Sequence, residues 1–282
     1  MEFPESIHLE IGKYVEYFIK WLIKYFGGFF DALSDGILGF LVSIQSFLLW
    51  IPWFIFLILI FLLGWKIKGI KSGLIYAVLL FLVGTLGLWE EMMLTLAVVL
   101  TAVIISAIIG VPIGIITAYN DKLDVFIKPL LDTMQTMPSF VYLIPAMMLF
   151  GLGMVPAVFA TVIYATPPAI RLTNLAIKNV SREMIEAANS FGASPWQVLM
   201  KVELPQAFPT IMTGINQTTM MAMSMVVISS MIGAKGIGLD VLTAINRIDI
   251  KMGFEAGISI VFIAIIIDRL TQGIADKYKI SD

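Results

Sequence analysis

Cysteine is missing from this 282-residue chain, so neither a disulfide nor a thiolate metal site can form. The one histidine, His8, has no second imidazole with which to share a metal ion, which sets redox and zinc chemistry aside. No G-x-x-x-x-G-K-S/T phosphate-binding loop occurs, so the chain is not expected to hydrolyse ATP itself. Charge is scarce: Asp, Glu, Lys and Arg make up 13% of residues, about half the ~25% of ordinary soluble proteins. The net charge of −2 carries no sign of nucleic-acid binding. The start, Met1-Glu2-Phe3-Pro4-Glu5, lacks the basic region of a cleavable signal peptide, so insertion is expected to use the first true span.

What replaces charge is apolar surface, 59% of residues, more than a soluble core could hide. A bilayer-spanning helix needs about 20 largely apolar residues. The sequence offers seven candidates, at Phe40–Leu63, Ser72–Leu88, Met93–Ala118, Leu130–Phe150, Val155–Lys178, Gln206–Ile232 and Ala256–Thr271. The fourth is interrupted by Pro138 and Pro145 and reads as a broken helix. The expectation is an all-α polytopic membrane protein with no internal repeat. Before the first span, Ile7, Ile11, Tyr14, Phe18, Leu22 and Tyr25 share one helical face, opposite Lys13, Glu16, Lys20 and Lys24. That is the pattern of an amphipathic helix in the headgroup region, or of one packed on the protein. Gly27-Gly28 breaks the pattern. The chain divides into this N-terminal segment (1–39), peripheral scaffold helices (40–88), a core (89–272) and a tail (273–282).

With the first span starting outside, the inner segments hold Lys66, Lys68, Lys71, Lys122, Lys128, Lys178, Arg182, Lys201, Lys277 and Lys279; the outer ones hold Lys13, Lys20, Lys24, Lys235, Arg247 and Lys251. The excess of basic residues predicts the N-terminus outside and the C-terminus inside the cytoplasmic membrane.

The loop between the fifth and sixth candidates, 181–205, carries the most specific signal. Ser181 can cap a helix beginning at Arg182, Glu183 favours its positive end, and Met184, Ala188 and Phe191 fall on one face. Gly192 supplies the left-handed residue that ends such a helix, and Ser194-Pro195-Trp196-Gln197 restarts the chain as a capping box with proline at the first helical position. Two short helices are expected to meet at a sharp corner. Ala187 and Ala188 keep the first thin enough for a partner's groove, and Glu186 offers a carboxylate to a basic group there. A helix-turn-helix linker with no partner would have the same local geometry.

The spacing Glu186-Ala187-Ala188, three residues, Gly192, nine residues, Val202-Glu203-Leu204-Pro205 resembles the cytoplasmic EAA loop of ABC-importer permeases, E-A-A-x3-G-x9-I-x-L-P, with Val202 in the Ile position. Gln135–Pro145, Pro167–Arg171, Gly214–Met221, Ser224–Ile228, Met231–Ala234 and Asp268–Gln272 are similar to the permeases of glycine betaine/proline betaine importers. The resemblance runs from about Trp89 to Gln272. It implies a type I ABC-importer transmembrane domain with about seven spans, in a bacterial cytoplasmic membrane. The partners it implies are a second permease copy, a separate ATPase subunit carrying ATP and Mg, and an extracytoplasmic substrate-binding protein that is not fused to this chain. The implied substrate is glycine betaine or a related osmoprotectant such as carnitine or proline betaine. The EAA residues Glu186, Ala187, Ala188, Phe191, Gly192, Leu204 and Pro205 would dock the ATPase.

Gate or pathway candidates are Met137, Pro138, Met220 and Met221: prolines inside a span free backbone groups, and methionines repack between two states. Most methionines of the core have packing as an alternative role. Asp132 and Arg171 are ionisable groups near the inner side; they pair and close the inner mouth, or each contacts headgroups and water. Tyr142, Tyr164, Phe140, Phe150 and Phe159 do not assemble a cation cage by spacing, so substrate selection is assigned to the binding protein. An ion-coupled secondary transporter would show paired repeats with intramembrane carboxylates, and neither stands out. An osmotically gated channel is the other alternative; dependence of uptake on ATP separates all three.

Overall fold

The computed structural model describes residues 11–277, so Ile7, His8, Lys279 and the start Met1–Glu5 lie outside the described residues. The described residues are almost wholly helical and hold no strand. Helix α1 spans Ile11–Trp50, α2 Trp53–Lys68 and α3 Ile70–Thr85. The core follows with α4, Trp89–Tyr119, and α5, Asp121–Thr136, then a 3₁₀ turn at Ser139–Tyr142 leading into α6, Leu143–Phe150, and α7, Met154–Lys178. Beyond it come α8, Arg182–Ser190, the short α9, Pro195–Val198, α10, Leu204–Ser230, α11, Ile237–Arg247, and α12, Ile250–Lys277.

Five helical runs are long and apolar enough to cross a bilayer: Gly12–Trp50, Trp89–Tyr119, Met154–Lys178, Pro195–Ser230 and Ile250–Lys277. Ile70–Thr85 and Ser139–Phe150 are apolar but shorter. The expected seven are thus reduced to five, and the first candidate needs correction. The stretch Phe40–Leu63 is not one helix. Its backbone breaks at Ile51-Pro52, Pro52 sitting extended at φ −57, ψ 140 ahead of α2, because a proline disfavours helix in the residue before it. Leu130–Phe150 is the broken helix expected from its prolines, the backbone leaving helix at Met137 (φ −66, ψ 132), the residue before Pro138. Conversely, the boundary expected near residue 40 does not exist in the backbone. α1 runs through it, and Gly27-Gly28 only bends the helix, with the non-helical residue at Phe26 (φ −120, ψ 17). Two glycines weaken a helix by about 1 kcal/mol each without removing a hydrogen bond as proline does.

The face of α1 that meets the bundle is Ile19, Ile37, Leu41 and Leu48, all buried. The aromatic face expected from the pattern is turned away: Tyr14, Phe18 and Tyr25 are exposed and Leu22 is half-buried. Small residues set the helix spacing, as they must where apolar lipid gives helices no reason to associate beyond close packing. A Cβ on Gly64 of α2 would stand 2.8 Å from the Gly73 Cα of α3, and one on Gly114 of α4 would stand 2.6 Å from the Thr173 Cβ of α7. The core between α4, α7 and α10 is built from Met92, Met93, Ala97, Val99, Ala102, Val158 and Ala222. Asn216 of α10 donates to Asp268 of α12 at 2.7 Å, a polar tie across an otherwise apolar contact.

Candidate functional site

The chain ends of several helices gather at one end of the bundle. Lys68, closing α2, lies 3.9 Å from Asp276 of α12; Pro209 near the start of α10 shares a cleft with Asp276; Tyr119, closing α4, donates to Glu203 just before α10; and Lys178, closing α7, reaches α5. At the opposite end the Ile237 amide donates to Thr95 at 2.9 Å and the Gly153 amide to the Ile232 carbonyl at 2.8 Å. The basic residues Lys66, Lys68, Lys71, Lys122, Lys128, Lys178, Arg182, Lys201 and Lys277 stand at or next to the first of these ends.

From that end the loop between Lys178 and Leu204 projects. Helix α8 starts at Arg182 as the pattern predicts, but the Ser181 side chain makes no capping bond; the carboxylate of Glu183 is left to complement the first turn. No residue of α8 is buried, so its shape rests on local signals. Gly192 is left-handed (φ +79), and its amide donates to the Asn189 carbonyl at 2.9 Å while that of Ala193 donates back to Ala188 at 3.1 Å. The restart is the expected capping box: the Gln197 amide donates to Ser194 Oγ at 3.3 Å and the Ser194 amide to Gln197 Oε1 at 2.8 Å, with Pro195 at the first helical position.

The second helix of the corner is not short. It continues from Pro195 through one π-helical turn, Leu199–Glu203, into α10, where the Leu204 amide reaches back five residues to the Leu199 carbonyl. Pro205 cannot donate to Lys201, and the wider turn takes up the mismatch. The loop is therefore levered directly on a spanning helix.

Met184 and Phe191 are exposed, Phe191 at 93%, and Ala188 is half-buried. Glu186 and Ala187 are exposed, Glu186 accepting from Arg182 Nε at 3.0 Å. Leu204 is half-buried and Pro205 exposed. A small helix thus offers an apolar stripe and a carboxylate to the surroundings. The Phe191 ring stands uncovered on a helix held by local bonds.

Behind the loop sits a polar cluster that the sequence reading did not single out. Asp124 of α5 is buried and its Oδ2 accepts from Lys178 at 2.7 Å and from Lys128 at 2.9 Å. Lys178 also reaches Asp121 at 3.1 Å. Asn174, one turn before Lys178 on α7, donates to Thr117 at 2.9 Å and to Asp124 at 3.4 Å. The hydrogen bond from Lys178 holds the Asp124 carboxyl below its ordinary range despite burial, with Lys128 adding to it. The sequence signals were an Asn inside an apolar span at 174 and a Glu between apolar neighbours at 203.

Asp132 and Arg171 are brought together: Arg171 donates to Asp132 at the wall of a cleft of about 360 Å³ that also holds Asp124, Asn174 and Lys178. Met137 and Pro138 form the exposed bend after α5. Met220 is 40% exposed and Met221 half-buried, packed against the core. Met220 lies in an exposed row on α10 with Thr213, Gln217 and Ser224, spaced along one helical face. The structure leaves Met137–Pro138 and Met220–Met221 on different elements. Of the aromatic residues, Tyr142 packs against Tyr164 at 6.1 Å and Phe150 against Phe159 at 4.8 Å, and Phe140 is exposed.

Residues 110–279 match the family described as binding-protein-dependent transport system inner membrane component. The chain is 51% identical over 280 residues to the glycine betaine/carnitine transport permease protein GbuB of Listeria monocytogenes, covering 98% of this chain and 99% of that one. It is 45% identical to the glycine betaine transport system permease protein OpuAB of Bacillus subtilis, covering 94% of each. Among solved structures, a chain of the MetNI methionine ABC transporter in an inward-facing conformation superposes with a TM-score of 0.62 at 20% identity, covering 68% of this chain and 95% of that one. At that identity the likeness shows the fold.

Proposed function

We propose a transport role for this chain from the premise that it belongs to the family of binding-protein-dependent transport system inner membrane components. It is the multi-pass permease subunit of an ABC importer in the cytoplasmic membrane, a transport component rather than an enzyme. Its family implies an ATPase subunit and a substrate-binding protein as partners. The substrate is glycine betaine or a related quaternary-ammonium osmoprotectant such as carnitine. The observation that carries this is identity of about half over essentially the whole chain to a relative named for glycine betaine and carnitine transport.

The loop 181–205 docks the ATPase, which holds ATP and Mg. Support comes from the exposed stripe Met184, Ala188 and Phe191, from the exposed Glu186, and from the direct continuation of the loop into α10. Gathering of basic residues at the loop end supports a cytoplasmic placement of that end, with the N-terminus outside. A second permease copy, or a water-filled path shared with it, covers the row Thr213, Gln217, Met220 and Ser224, since polar groups on a spanning helix are disfavoured against lipid. Met137, Pro138, Met220 and Met221 border that path, and the Asp132–Arg171 pair closes its inner side. Uptake by proteoliposomes holding the chain, its ATPase and its binding protein, against a panel of betaines, tests the reading. Uptake driven by an ion gradient without ATP would overturn it.

A further inference from the structure

The loop leaves the bundle at Lys178 and re-enters it at Glu203, and both residues are tied to one short stretch, the elbow 119–124 between α4 and α5. Tyr119 donates to Glu203. Lys178 donates to Asp121 at 3.1 Å and to Asp124 at 2.7 Å, and Asn174 adds its bond to Asp124. Glu203 is only 4% exposed, and a carboxylate shut away against a neutral hydroxyl is costly. Packing gives no reason for it, since a leucine would fill the same place without that cost.

From the elbow, α5 runs sixteen residues to Thr136, about 24 Å at the helical rise. Its course passes Asp132 with its bond to Arg171 and ends on the Met137–Pro138 bend. The side of α5 that meets the bundle carries Asp124, Ile127, Leu131 and Met134, with Asp124 and Leu131 buried, whereas Val125, Phe126 and Leu130 are exposed. The helix is thus fixed at the elbow by directional bonds and is tied again toward its far end, where Arg171 donates to Asp132 and the Tyr142 hydroxyl donates to the Met134 carbonyl at 2.7 Å. Two ties from opposite ends of one loop to one elbow make the end of α7, the start of α10 and the start of α5 move together.

We propose that α5 is the transmission lever between the docking loop and the Met137–Pro138 bend, with Tyr119 and Glu203 as its positioning residues. This rests on the loop being the ATPase contact. The test is uptake per ATP hydrolysed in proteoliposomes of the full transporter, beside ATPase co-purification and thermal stability. Tyr119→Phe and Glu203→Leu lower uptake per ATP by about tenfold, the factor of one hydrogen bond to a charged group, with the ATPase still bound. Glu203→Gln retains an acceptor oxygen and recovers most of the coupling. The double variant Tyr119→Phe/Glu203→Leu is no worse than Glu203→Leu alone, as for two ends of one bond. Unchanged coupling in both single variants overturns the lever, as does a loss in Glu203→Gln equal to that in Glu203→Leu, or a loss confined to yield and thermal stability. Absence of ATP-driven uptake in the unsubstituted transporter overturns the permease reading itself, so the two failures are told apart.

Discussion

Gly192→Val isolates the corner of the loop 181–205, and tests its proposed docking role. Gly192 holds φ +79, and nothing lies within 4 Å of a Cβ added there. The substitution therefore meets no steric clash and carries conformational strain alone, about 1–2 kcal/mol for a side chain in the left-handed region. That strain falls on two hydrogen bonds, from Gly192 to Asn189 and from Ala193 to Ala188, which hold the end of α8 and aim Phe191 outward. With no buried residue in α8, no core packing resists the loss, and the docking conformation is depopulated by a factor of about 5–30. The membrane bundle does not feel it, so yield and insertion stay normal. ATPase co-purification at limiting ATPase, and ATP-driven uptake, fall by a factor of that order. Gly192→Ala falls less for want of a branched side chain, and Gly192→Asn least, asparagine being the non-glycine residue that most readily visits this region. Normal uptake and ATPase association in Gly192→Val would refute the reasoning, because the corner would then not be needed for coupling.

Gly114→Leu places a side chain where a Cβ already meets Thr173 at 2.6 Å and the Ile170 carbonyl at 2.7 Å; separation of α4 from α7 destabilises the fold by about 1–3 kcal/mol or more, read as lost monodisperse yield in detergent. Arg171→Gln or Asp132→Asn removes a pair whose side chains are 36% and 63% exposed, so stability changes by no more than about 1 kcal/mol, and a larger fall in uptake than in thermal stability marks a role in the transport cycle. A cysteine introduced at Glu90 is labelled by an impermeant maleimide in intact cells, and one at Ser194 only after lysis; with no native cysteine no other site competes, and the reverse pattern would invert the orientation. Because the Asp124 carboxyl is held below its ordinary range, its stabilisation is fully present above the unfolded carboxylate value of about 3.9 and is lost only as pH falls through the lower folded value. Thermal stability between about pH 6 and 8 is therefore the same fraction of maximum in Asp124→Asn as in the unsubstituted chain, and any divergence appears only on acidification.

The long spans were legible because each is a continuous apolar run, and their ends moved by only a few residues: Val155–Lys178 became Met154–Lys178. The failure at the first span has a plain cause. Pro52 stops a helix within an apolar run as Pro138 does, but hydropathy averaged over some twenty residues is blind to one imino acid, and only the break at Pro138 was expected from the sequence. Pro112, Pro167, Pro168 and Pro209 sit inside helices without ending them, so proline alone does not announce a break. Nothing in the imino acid itself separates the cases, so the distinction is not written locally in the sequence. The glycines carried a similar ambiguity. Gly27-Gly28 looked like a stop and is a bend, whereas Gly110 and Gly114, one turn apart, mark the α4–α7 contact.

The loop 181–205 was the most readable part of the candidate site because it depends least on the rest of the molecule. Its corner is made by residues within three or four positions of one another, Asn189 with Gly192 and Ser194 with Gln197, and such bonds are written locally in the sequence. The capping role of Ser181 failed for the same reason in reverse: residue type permits the bond but does not require it. Its anchors were invisible by comparison. Tyr119 and Glu203 are 84 positions apart, and Lys178 and Asp124 are 54 apart, so only the crossing of α4, α5 and α7 brings them together. A lone charge inside an apolar stretch is nevertheless a usable flag, because burial of Glu203 or Asp124 is tolerable only where some distant group has been placed to meet it. The exposed row on α10 marks where this logic leaves the single chain, since Gln217 and Met220 face outward and what meets them is a property of the assembly.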